Sequence, residues 1–204
     1  MIVKKIKFIN MLKVDLACGG AKKGEDFVGV DISKCDGVDI IHDLNIYPWP
    51  FEDNSVDEVN CSHYIEHIPH DNIKAALKES NSFYEFKDKL LESKDGFIQF
   101  FNELYRILKE EGRAILIAPY YTSMRAFGDP THVRYISDFS LLYLNKEWRD
   151  LNKLSHYGIE CDFDVKYSYH ITNEMTLKSD EVRNKAFLND WNVIDDIIIE
   201  LIKK

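Results

Sequence analysis

The segment Val14-Asp-Leu-Ala-Cys-Gly-Gly20 constrains this chain more than any other. A short apolar run carries a carboxylate at Asp15 and passes directly into small residues, Ala17 to Ala21. Small residues let the backbone approach a ligand closely, and glycines adopt positive φ at no steric cost. Such a passage suits the carboxyl end of a parallel strand, where open sheets bind their ligands. Leu12–Ala17, Asp26–Val30, Val38–His42 and Ser55–Cys61 read as four strands, and Arg113–Ala118 as a fifth that Pro119 stops. Short apolar runs alternating with helical stretches predict a parallel α/β sheet covered on both faces.

Ile98, Phe101, Leu104, Tyr105 and Leu108 recur at spacings of three and four, which predicts a helix over Phe97–Leu108 with one apolar face. Glu111-Gly112 is expected to end it, the glycine lying just past the terminus. Residues 62–112 separate the fourth strand from the fifth, far more chain than a single crossover helix needs. Residues 71–96 are therefore read as an inserted helical excursion, either a lid over the cleft or a buttress. Ser137–Leu144 reads as a helix with Asp138 in its first turn, and Phe163–Ile171 as a strand. Ile194–Ile202 fits a helix or a strand, and its β-branched isoleucines favour a final strand.

A chain of 204 residues, 45% of them apolar, has the size and core of one domain, so 1–204 is read as a single domain. No apolar run approaches the ~20 residues a bilayer crossing needs. Met1–Asn10 carries lysines but no apolar stretch long enough for a signal peptide, so no membrane association and a cytoplasmic location are expected. The net charge of −9 argues against nucleic acid, which binds through many Lys and Arg contacts. Cys18, Cys35, Cys61 and Cys161 form no Cys-x-x-Cys pair; no metal site is expected, and the thiols are read as reduced.

The first loop narrows the ligand. Gly19, Gly20 and Gly24 lack the Gly-x-Gly-x-x-Gly spacing of dinucleotide sites, and no P-loop Gly-Lys-Ser or Gly-Lys-Thr is present. Asp15 would repel a pyrophosphate and suits a ligand bearing an ammonium or sulfonium group. Taken in order, Asp15-Leu-Ala-Cys-Gly-Gly20, Gly29-Val-Asp31, His42-Asp-Leu44, Asp57–Ser62 leading into His63–His67, and Glu103–Gly112 resemble the class I S-adenosylmethionine (SAM) dependent methyltransferases. The resemblance covers roughly Lys13–Phe139. It implies a Rossmann-like, doubly wound, mainly parallel seven-stranded sheet with an antiparallel C-terminal strand and a helical insertion between strands 4 and 5. It implies SAM as cofactor, with Asp15, Ala17, Cys18 and Gly19 in the first loop. Asp31 and Ile32 would lie at the ribose, Asp43 and Leu44 at the adenine, and Ser62 and His63 at the methionine portion. Two features depart from the family. Ala17 and Ala21 stand where glycine is usual, Ala17 crowding the turn. The chain also begins almost at the first strand, so a cap over the cofactor is expected from 71–96, from the segment after Pro119, or from the second subunit of a homodimer.

Methyl transfer from a sulfonium is an in-line displacement whose donor is already activated. The protein aligns the nucleophile, excludes water and takes the acceptor's proton. Two clusters are candidates. His63-Tyr-Ile-Glu-His67 follows the fourth strand, with packing or capping of the next helix as its alternative role. Pro119-Tyr-Tyr121 through Gly128-Asp-Pro-Thr-His-Val-Arg134 follows the fifth, and its Asp-Pro-Thr-His-x-Arg stretch resembles one small subgroup of the family. His132 is the expected catalytic base, with Asp129 orienting it and His67 as a further catalytic candidate. The alternative is a loop whose Asp129 and His132 satisfy local backbone groups. Arg134 either binds an acidic substrate group or pairs with a surface carboxylate. No Asn-Pro-Pro-Tyr or Asp-Pro-Pro-Tyr follows the fourth strand, which argues against a DNA amino-methyltransferase. The expected function is methyl transfer to an oxygen or nitrogen of a small-molecule or sugar-like acceptor. Its rival is a non-catalytic module that binds SAM or its demethylated product, or a partner subunit. The glycine spacing disfavours a nicotinamide oxidoreductase.

Overall fold

A computed structural model describes residues 11–71, 73–78, 80–92 and 94–204. Met1–Asn10, and with them the expectation about a signal peptide, lie outside the described residues. The strands are β1 (Lys13–Leu16), β2 (Phe27–Asp31), β3 (Ile40–Ile41), β4 (Val56–Ser62), β5 (Leu108–Pro119), β6 (Phe163–Ile171) and β7 (Ile194–Lys203). They form a seven-stranded sheet in the order β3-β2-β1-β4-β5-β7-β6. β7 runs antiparallel to β5 and β6, and the other neighbouring pairs are parallel. The isoleucine run is thus a strand, and the mainly parallel sheet with a reversed last strand is the one expected. The order reverses between β1 and β4, which makes their carboxyl ends the switch point of the sheet.

Between β4 and β5 lie α1 (Ile73–Lys78), α2 (Phe83–Glu92) and α3 (Gly96–Ile107). The excursion leaves and returns at one place. The Gly96 N–H donates to the His70 carbonyl at 3.3 Å. A Cβ on Gly96 would stand 2.3 Å from the Pro69 carbonyl oxygen, so only glycine fits where the two ends meet. Helix α3 then lays Phe100, Phe101, Leu104 and Ile107 against the sheet. Ile98 and Tyr105 of the expected stripe are only half-buried at its margin.

The end of α3 differs from expectation. The helix stops at Ile107, and Leu108 is already extended and paired with Val56 of β4. Glu111-Gly112 falls instead within β5, where the pairing jumps from Val56 with Leu108 to Glu58 with Arg113. Glu111 takes a φ of 64° there. The turn signal is real, but it marks a bulge in the strand and not a helix terminus.

The first two crossovers also differ from a fully covered sheet. Among the described residues, the connections from β1 to β2 and from β2 to β3 contain turns and no helix. Beyond β5 come α4 (Arg125–Gly128), α5 (Asp138–Leu141), α6 (Lys146–Leu151), α7 (Asn173–Thr176) and α8 (Asp180–Asn189). Helix α5 is capped reciprocally by Ser137 and Ser140, and a 3-10 turn at Leu142–Leu144 completes the expected helical stretch. No helix of the described residues is long and apolar enough to cross a membrane.

Candidate active site

The carboxyl ends of β3, β2, β1, β4 and β5 lie along one edge of the sheet, in that order. The residues singled out in the sequence occupy the loops at that edge. After β1 the chain turns through Ala17 and Gly19, with φ values of 54° and 56°. Ala17 therefore holds a left-handed conformation that favours glycine, the crowding expected of it. The Cys18 N–H donates to the Val30 carbonyl at 3.1 Å, which keeps the loop against β2.

Asp31, at the end of β2, ties this loop down. Its Oδ2 accepts from the Gly19 N–H at 3.0 Å and its Oδ1 from the Ser33 N–H at 3.0 Å. Behind it, a Cβ on Gly29 would come within 2.1 Å of the Gly37 carbonyl oxygen and 2.9 Å of Cys18 Sγ. The Gly29 N–H donates to Asp39 Oδ2 at 2.8 Å, and this bond holds the Asp39 carboxyl below its ordinary pKa. Glycine at 29 thus lets the loops of Cys18 and Gly37 close on β2 under Asp31. Ile32 stands exposed beyond it.

Asp15 lies deeper, near the end of β1. It is 3% exposed, and both its oxygens are taken by protein donors. Asn60 Nδ2 donates to Oδ1 at 2.6 Å and the Lys23 N–H to Oδ2 at 2.6 Å. These two bonds anchor the loop from beneath. After β3, Asp43 accepts from the backbone and side chain of Asn45 at 3.0 and 3.1 Å. The buried Leu44 offers its carbonyl to Trp49 Nε1 at 3.0 Å.

On the other side of the switch point, β4 ends at Ser62, and His63 takes a φ of 54°. The His63 N–H donates to the Ile117 carbonyl at 2.8 Å, so the reversal is braced by β5. A 3-10 turn, Ile65–His67, follows. Glu66 is 1% exposed, and its backbone carbonyl accepts from the N–H groups of Val133 and Arg134 at 2.9 and 3.1 Å. The two candidate clusters, far apart in the chain, are thereby one. The rings of His67 and His132 meet edge to face at 4.6 Å.

His132 Nδ1 lies 3.1 Å from the Ala126 carbonyl, which assigns the proton to Nδ1 in the neutral ring and leaves a lone pair on Nε2. Asp129 is not the orienting group. Its Oδ2 is 4.0 Å from His132 Nε2, and its Oδ1 accepts from the N–H and hydroxyl of Thr131 at 2.8 and 2.7 Å. Those bonds depress its pKa. His67 Nδ1 in turn lies 3.0 Å from Thr131 Oγ1. Since that hydroxyl donates to Asp129, His67 Nδ1 is the donor to it. The contact with Glu66, at 3.4 Å from Oε1 to Nδ1, raises the pKa of His63.

Arg134 takes the second of its two expected roles, pairing with a carboxylate, and adds contacts to it. Only 11% of its side chain is exposed. It donates to the carbonyls of Ile68 and Pro69 at 2.6 and 2.8 Å and pairs with Asp95 at 3.0 Å. It therefore clamps the neck of the 71–96 excursion. Sequence reasoning missed the aromatic shelf beside His132. Phe127 and Tyr135 stack at 4.6 Å with 25° between planes, and Trp191 lies 6.0 Å from Phe127. All three are more than half exposed. Trp191 comes from the distant turn before β7, held by Asn192 Oδ1 accepting from the Met124 N–H at 2.6 Å. A separate cleft of about 590 Å³ lies by Asn54, Arg106 and Lys203, at the amino ends of the parallel strands and away from this edge.

No family profile matches the chain. No curated protein matches it in sequence. Among solved structures, a SAM dependent methyltransferase from Archaeoglobus fulgidus aligns over 95% of this chain and 86% of its own, with a TM-score of 0.60 and 20% identity. The YcgJ protein from Bacillus subtilis aligns over 95% and 92%, with a TM-score of 0.49 and 14% identity. With its 3-2-1-4-5-7-6 sheet and its similarity to the first of these, the chain has the class I SAM-dependent methyltransferase fold.

Proposed function

We propose that the chain is a SAM-dependent methyltransferase acting on an oxygen or nitrogen of a small-molecule or sugar-like acceptor. The observation that carries this reading is the meeting of two different loop sets at one sheet edge. On one side, Asp31 holds the small-residue loop at Gly19; on the other, Glu66, His67 and His132 converge after β4 and β5. In this reading Asp31 and Ile32 receive the ribose of SAM, and Asp43 and Leu44 the adenine. Ala17, Cys18 and Gly19 line the methionine side with Ser62 and His63. Asp15 supports that loop from below.

The acceptor enters from the β5 side. Its flat or sugar-like face suits the exposed shelf of Phe127, Tyr135 and Trp191, since aromatic faces pack well on apolar ring surfaces. The acceptor lone pair attacks the methyl carbon, the sulfur–carbon pair returns to sulfur, and the demethylated product leaves. In the metal-free protein the proton lost by the acceptor goes to His132 Nε2, the free lone pair of the cluster. Asp129 acts through Thr131 on His67 and not directly on His132.

The test is release of the demethylated product from SAM in the presence of a metabolite extract. Wild-type protein should turn over, and His132→Ala should be slower by about 10²–10⁴ fold, the usual worth of a positioned base. SAM binding without turnover by any extract would favour the non-catalytic module. Normal turnover by His132→Ala would remove His132 from the chemistry.

A further inference from the structure

Glu66 presents a problem of charge that the described residues leave unsolved. Its carboxylate is 1% exposed, and neither Oε1 nor Oε2 has a hydrogen-bond partner. A buried, unpaired carboxylate costs several kcal/mol unless a cation or donors compensate it. His63 Nδ1 stands 3.4 Å from Oε1 and pairs with it when protonated, a contact off hydrogen-bond geometry. What surrounds the carboxylate is a set of lone pairs. One ligand atom each from Glu66, His67 and His132 lies within 4.8 Å of the other two. His132 Nε2 is 4.0 Å from Glu66 Oε1.

The two imidazoles are arranged as metal ligands are. A ligating histidine donates its second ring N–H to a carbonyl, carboxylate or similar acceptor, which fixes the tautomer and turns the other nitrogen to the metal. His132 donates from Nδ1 to the Ala126 carbonyl, and His67 from Nδ1 to Thr131 Oγ1, itself bonded to Asp129. Both Nε2 atoms are thereby left as lone pairs, that of His132 4.0 Å from a carboxylate oxygen that accepts no hydrogen bond.

We propose that Glu66, His67 and His132 bind one divalent first-row transition cation, of which zinc is the simplest, with an open coordination position. Two imidazoles and one carboxylate are the donor set of catalytic zinc and of related open sites. The hard cations Mg²⁺ and Ca²⁺ prefer all-oxygen shells and are poorly served by it. Ligands on a tetrahedral ion with bonds of about 2.1 Å stand about 3.4 Å apart, so the three atoms close by roughly an ångström on binding. The absence of cysteine pairs spoke only to thiolate sites. Binding itself requires nothing of the methyl-transfer reading. Its consequence does rest on that reading: with the cation bound, both imidazoles are ligands, and an acceptor oxygen at the open position loses its proton to solvent through the charge of the cation.

The experiment is equilibrium dialysis of the tag-free full chain against Zn²⁺, without SAM, followed by metal analysis, in a Cys35→Ser background because that thiol is exposed. Co²⁺ gives an independent optical signature of coordination. One equivalent per chain is expected for the parent, and no stoichiometric binding for Glu66→Gln or His132→Ala. Thr131→Val leaves all three ligands in place and should weaken binding about 10–100 fold, the usual effect of losing an outer-shell partner. Circular dichroism confirms that each variant is folded, and Thr131→Val decides the matter if a ligand variant is not. No stoichiometric zinc on the parent, or undiminished zinc on Glu66→Gln and Thr131→Val, overturns the proposal. SAM affinity, measured separately, reports on the cofactor reading alone.

Discussion

Ala17 and His63 end β1 and β4 in the same left-handed region, where an L-residue is disfavoured by about 1–2 kcal/mol. Ala17→Gly removes that strain and is expected to stabilise the fold by about 0.5–1 kcal/mol, less than the full relief because glycine is freer when unfolded. A higher urea midpoint at constant slope is the readout, and a lower midpoint would be wrong for a strained alanine. Gly29 gives the opposite case. Gly29→Ala sets a Cβ 2.1 Å from the Gly37 carbonyl oxygen, so it should cost well over about 1 kcal/mol and abolish the thermal shift produced by SAM. Asp39 adds a pH signature. Its folded-state pKa is depressed by the Gly29 N–H, so its stabilisation is complete above the unfolded value near about 3.9 and is lost as pH falls through the folded value. Asp39→Asn should flatten that acid limb, measured by urea titrations at several pH values. At this scale Asp31 and Ala17 are legible in the sequence, because each stands at the end of a short apolar strand where the motif spacing marks it. Glu66 with His132 is not: the pairing depends on the Glu66 carbonyl receiving the N–H groups of Val133 and Arg134 across the β4–β5 edge.

Among the elements, the strands were the readable part, since each apolar run is short and bounded by turns. The end of α3 was not. Glu111-Gly112 carries the chemistry of a helix stop, but a bulge in β5 uses the same left-handed turn, and tertiary pairing of Leu108 with Val56 decided between them. The 71–96 excursion was visible as surplus length, while its clamp was not. Arg134→Ala removes the donors to Ile68, Pro69 and Asp95. Faster hydrogen exchange confined to 66–96 is expected, with β1 and β7 unchanged; uniform loss of protection would show that the clamp is not local. At the other end of the sheet, Lys203 of β7 is 5% exposed and donates to Asn54 Oδ1 and to the carbonyls of Tyr105 and Leu108 at 2.6, 2.8 and 2.9 Å. Lys203→Met strands those acceptors and should cost about 1–3 kcal/mol in chemical denaturation.

The whole molecule is a sheet whose order reverses at β1 and β4, and that reversal gathers the loops of the candidate site at one edge. Alternating runs in the sequence foretell the sheet, yet the turns that replace helices in the first two crossovers carry no distinct signal in a chain read alone. In the proposed function this edge holds SAM through Asp31. Titration calorimetry with the demethylated product and with its 2′-deoxy counterpart tests it most directly, because loss of Asp31 also frees the Gly19 N–H and would loosen the loop for both ligands alike. Wild-type protein should bind one equivalent of the product and prefer it over the deoxy ligand by about tenfold or more, near 1.4 kcal/mol. Asp31→Ala should bind both more weakly and no longer distinguish them. Equal affinity of the wild type for the two ligands, or a preference that survives in Asp31→Ala, would contradict the account.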